Sequence, residues 1–123
     1  MSLDELNHRV TNAIVRAESL PAGSREAWEA FHDVSALEES IAALVPPGDI
    51  EGEIARLGAV TAALSAGEPL RALQLAERFL AESLAPEIAG KLHQLIEEAE
   101  AEIVRAVSDE PTVMPVTFTL RAA

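Results

Sequence analysis

Proline and glycine cut this chain at regular points, and those cuts constrain its fold more than any other feature. Pro21-Ala22-Gly23, Pro46-Pro47-Gly48-Asp49, the Gly67 and Pro69 pair, Pro86 and Asp109-Glu110-Pro111 each mark a stop or a start. Proline lacks an amide donor and fits only the first turn of a helix, whereas glycine suits the residue just past its end. Between the cuts, apolar residues recur in steps of three and four, the signature of an amphipathic helix. The expected fold is all-α: an antiparallel four- to five-helix bundle over residues 1–110, followed by a C-terminal extended tail over residues 111–123.

The helices can be placed individually. Ser2-Leu3-Asp4-Glu5 forms a capping box, and the helix it opens carries Leu3, Leu6, Val10, Ala13, Ala17 and Leu20 as a seam, broadened by Ile14. Ser24 is positioned to cap a second helix whose apolar residues are Ala27, Trp28, Phe31, Val34, Ile41 and Val45. Ser35-Ala36-Leu37-Glu38 is another possible capping box, and the sequence leaves open whether this helix breaks near Asp33. A third helix from Ile50 to Ser65 has Ile50, Ile54, Leu57, Thr61 and Leu64 in heptad-like spacing. The fourth, opening at Pro69, is apolar over nearly half its circumference and is expected to be the most buried. The fifth opens at Pro86, with Ile88, Leu92, Leu95, Ile96, Ala99, Ile103 and Val107 on one side. The stretch LGAVTAALSAGEPLRALQLAERFL resembles a single tetratricopeptide hairpin in its Leu-Gly pair and Ala-rich second helix. It occurs once, whereas solenoids stack about three repeats or more, and it reads as a generic helical hairpin.

Charge narrows the function. The 21 acidic residues against nine basic ones give a net charge of −12, and eight acids and no Lys or Arg lie between Glu26 and Ile54. Such a field repels phosphate backbones and anionic lipid, so binding to nucleic acid or a membrane surface is not expected; a basic protein partner is. Glu29, Asp33, Glu38, Glu39, Glu51 and Glu53 are the expected steering residues. No cysteine is present, which removes thiolate chemistry and cysteine metal sites. The opening residues carry Asp4 and Glu5 with no apolar run, and a cytoplasmic protein is expected. Abundant Ala and the excess of Arg over Lys suggest a bacterial, GC-rich source.

Two Glu-x-x-His motifs, Glu5 to His8 and Glu29 to His32, are the spacing from which di-metal bundle sites are built. At about 100° per residue, both point away from the apolar faces of their helices. Solvated polar faces are the expected reading, with no metal or other cofactor and no catalysis. His93 sits on the flank of its helix with no partner fixed by sequence.

The tail is the remaining signal. Val116, Phe118 and Leu120 alternate with Thr117 and Thr119, the period of a half-buried strand. A lone strand needs an acceptor for its backbone groups. It can add to the sheet edge of a partner protein or pair with its mate across a dimer. It can also stay unpaired as a terminus. The expected function is therefore a non-catalytic regulatory or accessory subunit, of inhibitor or adaptor type, that uses an acidic face and a clamping strand. The alternatives are a homodimer with an intermolecular tail ribbon and, third, a carboxylate and histidine metal enzyme.

Overall fold

The computed structural model describes residues 1–108, all-α with helices α1 (Leu3–Ser19), α2 (Arg25–Ala42), α3 (Ile50–Ser65), α4 (Pro69–Leu80) and α5 (Pro86–Ser108). The tail, with Val116, Phe118 and Leu120, lies outside the described residues, as does the expected stop at Asp109-Glu110-Pro111.

The caps follow the expected chemistry. The Glu5 amide donates to Ser2 Oγ at 3.2 Å, and the Ser2 amide donates to Glu5 Oε1 at 3.0 Å, closing the capping box. Ser24 accepts from the Ala27 amide at 3.1 Å. At the end of α3, the amides of Gly67 and Glu68 donate to Leu64 O and Ala63 O at 3.0 and 2.9 Å. With Gly67 at φ 70°, this is the 5→2 and 6→1 pair of a Schellman cap, which a residue with a side chain enters only with strain. No break interrupts α2 near Asp33. Ser35 is not a cap; its hydroxyl is buried and donates to Ala59 O of α3 at 2.7 Å.

Helix directions follow from which residues meet. Pro46 lies over Gly52, Glu38 over Gly58, and Ser35 bonds Ala59, so α2 and α3 are antiparallel. Arg56, early in α3, bonds Glu82 just past α4, so α3 and α4 are antiparallel as well. Trp28 meets Gly67, Ser35 meets Arg71, and Glu39 meets Arg78, so α2 and α4 run parallel.

The centre of the array is α3, not α4 as its apolar circumference suggests. It packs against α2, α4 and α5, while α1 packs along α2 and α5 along α3 and α4. The buried face of α3 also differs from the heptad expectation. Gly52, Ala55, Arg56, Ala59, Val60, Ala62 and Ala63 are inside, whereas Ile50 and Ile54 are 75% and 61% exposed. Three neighbours around one helix favour small side chains at most of the buried positions, and the one long side chain inside, Arg56, is held by its hydrogen bonds. The α1 seam is as expected, with Leu6, Val10 and Ala17 buried. In α5, Ile88, Leu92 and Ala99 are buried, but Val104 and Val107 in its last turns are exposed.

Candidate functional site

Because α2 and α4 run side by side across α3, their facing polar residues form a ladder. At one end His32 Nδ1 lies 2.9 Å from Glu68 Oε1. In the middle, Arg71 donates to Ser35 Oγ from Nε at 3.2 Å and to Glu39 Oε1 from Nη2 at 2.9 Å. Arg78 Nη2 donates to Glu39 Oε2 at 2.6 Å. Burial of the Glu39 carboxyl works to raise its pKa, but hydrogen bonds from Arg78 and Arg71, with their charges, carry it below the ordinary value.

Beneath the far end lies Arg56, only 3% exposed. Its Nε donates to Glu82 Oε1 at 2.7 Å and its Nη2 to Glu82 Oε2 at 3.2 Å. The same guanidinium donates to Ala42 O, Val45 O and Gly52 O at 3.0 to 3.1 Å. Two of these are carbonyls at the C-terminal end of α2, where a cation is favoured by the helix dipole. Arg56 and Arg78 both lie over the Phe79 ring, 5.7 and 5.4 Å from its centroid.

The open part of this surface lies at the other end of the ladder. An exposed pocket of about 640 Å³ is lined by Trp28, Glu29, His32, Asp33, Gly67 and Glu68, among others. Trp28, read from sequence as core, is 48% exposed. Its indole lies against Gly67, where an added Cβ would come within 3.0 to 3.1 Å of the ring. The glycine that ends α3 is thus also the floor on which the tryptophan rests.

The six acids expected to steer a partner fall into different settings. Glu29 and Asp33 are exposed and line the Trp28 pocket; Glu29 pairs with Arg25 at 3.5 Å. Glu39 is taken up by its two arginines. Glu51 and Glu53 belong to the first turn of α3, where Glu51 Oε2 accepts from Asn7 of α1 at 2.9 Å. Glu38 is a correction: it is 8% exposed, inside the α2–α3 interface, and takes no part in a surface field. Its carboxyl occupies the space that a side chain at Gly58 would need, and burial pushes its pKa up to about 7.

Sequence reasoning missed Trp28 as a surface group, the pairing of His32 with Glu68, and the roles of Arg56, Arg71 and Arg78. The one available signal was angular, since Trp28 lies about 100° from Ala27 around α2, at the edge of the apolar stripe. The Glu-x-x-His pairs do not converge. Glu5 is held in its cap, and His32 turns to Glu68. The described residues contain no group of three or more His, Asp and Glu side chains placed to hold a metal ion, and no helix long and apolar enough to cross a membrane. Comparison with known proteins finds no matching family model, no similar curated protein and no similar solved structure.

Proposed function

We propose that this chain is a non-catalytic, protein-binding regulatory or accessory subunit that presents the acidic surface of α2 to a basic protein partner. The observation that carries this reading is the half-exposed Trp28, seated between Glu29 and Asp33 of α2 and Glu68 at the start of α4. Large aromatics at a surface are the usual anchors of protein interfaces, and carboxylates around them favour a cationic partner. The alternation of Val116, Phe118 and Leu120 supplies a second contact in this reading, a strand added to the partner's sheet. The setting is the bacterial cytoplasm, with no cofactor.

The test is affinity capture from the native host with the full chain and with a Glu29→Lys, Asp33→Lys double variant. Both residues are exposed, so the fold tolerates the change. The reading expects the variant to lose the basic partner, with an association rate severalfold slower and the difference shrinking as salt rises. Capture of the same partners at equal strength in low salt would overturn it.

A second reading, a homodimer with its tails paired, is favoured by the exposed Ile50 and Ile54 on one side of α3. Light scattering of the full chain and of an Ile54→Glu variant tests it: a dimer that dissociates in the variant supports this reading, and a monomer in both removes it.

A further inference from the structure

We propose that the Trp28 pocket seats an arginine side chain of the basic partner, with its guanidinium on the indole and its N–H groups on Asp33 and Glu68. This rests on the reading of a basic partner given above and names the group that enters the pocket. The argument comes from a second site in the same protein. At Phe79, Arg56 and Arg78 lie over an aromatic ring, and each also bonds a carboxylate, Glu82 in one case and Glu39 in the other. Aromatic ring and carboxylate together hold a guanidinium: the ring attracts the cation, and the planar N–H fork matches the oxygens.

The Trp28 pocket repeats that combination. It has an aromatic ring, carboxylates from α2 (Glu29, Asp33) and one from the start of α4 (Glu68). Arg25 is turned to Glu29 at 3.5 Å with its side chain 90% exposed, and His32 Nδ1 lies 2.9 and 3.1 Å from the two Glu68 oxygens, each of which keeps a lone pair for a further donor. Among the described residues, the cations over an aromatic ring are Arg56 and Arg78, both at Phe79. Arginine fits better than lysine because a lysine ammonium is a more strongly hydrated point charge without the flat fork that can stack and bridge.

Trp28 is the single tryptophan in the chain, so its fluorescence reports on this pocket alone. Peptides carrying three arginines, three lysines or three citrullines would be titrated against the full-length protein. The expected result is an emission change with the arginine peptide, a dissociation constant about fivefold higher for lysine, and no response to citrulline. Asp33→Asn combined with Glu68→Gln should weaken arginine binding about tenfold, since two charge-assisted hydrogen bonds are lost. Trp28→Ala, followed by calorimetry and checked for folding by circular dichroism, should abolish the preference for arginine over lysine. Equal affinity for both peptides, or a preference surviving in Trp28→Ala, would overturn the proposal. So would an emission change on Arg121→Ala with no peptide present, which would make the chain's own terminus the occupant. A partner captured through Glu29 and Asp33 that leaves Trp28 emission unchanged would defeat this proposal alone. Loss of the acidic-surface dependence would defeat the broader reading with it.

Discussion

Arg56 and Glu82 form a two-point pair, Nε to Oε1 at 2.7 Å and Nη2 to Oε2 at 3.2 Å, that ties the first half of α3 to the residue just past α4. The same guanidinium closes the end of α2 through the Ala42 and Val45 carbonyls and also bonds Gly52 O of its own helix. One side chain therefore fixes the relative position of three helices.

Arg56→Ala is expected to destabilise the fold by about 3 kcal/mol or more, because it leaves buried carbonyls and a carboxylate without their donor. Arg56→Lys should recover only part of that, since an ammonium cannot reproduce the fork. Urea unfolding of the two variants beside the parent chain measures both.

Glu38 gives the fold a pH dependence of unusual sign for a carboxylate. Its pKa is raised from 4.5 to about 7 on folding, so the folded state binds the proton more tightly. The resulting stability is fully present below pH 4.5 and is lost as pH rises through 7. Glu38→Gln should remove that dependence and stabilise the protein at pH 8 by on the order of 2 to 3 kcal/mol. Thermal melts of both proteins from pH 5 to 8 check this; parallel curves for the two would show that Glu38 does not titrate in that range.

Gly52 and Gly90 should respond to alanine in opposite directions. A Cβ at Gly52 would run into the Pro46 carbonyl, which is backbone and cannot turn aside, while a Cβ at Gly90 meets nothing within 4 Å. Gly52→Ala is expected to cost roughly 2 kcal/mol or more, as overpacking does. Gly90→Ala, within an exposed turn of α5, should gain about 0.5 to 1 kcal/mol from helix propensity. The difference between their unfolding midpoints is the measurement.

Glu39 and Glu29 separate structural from surface acids. Glu39→Ala leaves Arg78 without its carboxylate and Arg71 with Ser35 alone and should lower stability by about 1 kcal/mol, whereas Glu29→Ala breaks only an exposed pair and should change it by less than about 0.5 kcal/mol. A Glu29 effect as large as the Glu39 effect would contradict the ladder.

The legible part of the fold was punctuation and capping. Ser2, Ser24, Gly67, Pro69 and Pro86 act locally, through their own backbone, so one sequence suffices to place them. The face of α3 was not legible, because it depends on how many helices crowd it: spacing favoured Ile50 and Ile54, and crowding favoured Ala55, Ala59 and Ala63. Burial hid the fate of Glu38 for the same reason, since formal charge carries no information about depth. Of the candidate site, Glu29 and Asp33 were found by charge. Trp28 and Glu68 were missed because they line one pocket from 40 residues apart in the chain, brought there by a turn whose conformation Gly67 sets.

The dependence of α1 on a single helix neighbour has an energetic consequence. Lifting α1 away breaks its seam with α2 and the Asn7–Glu51 bond, while removing α3 breaks the interfaces with α2, α4 and α5 together. Amide protons of α1 should therefore exchange with solvent through a partial opening of lower free energy, and those of α3 only when the whole chain unfolds. The protein is stratified: an outer layer that opens first, over a framework that fails as one.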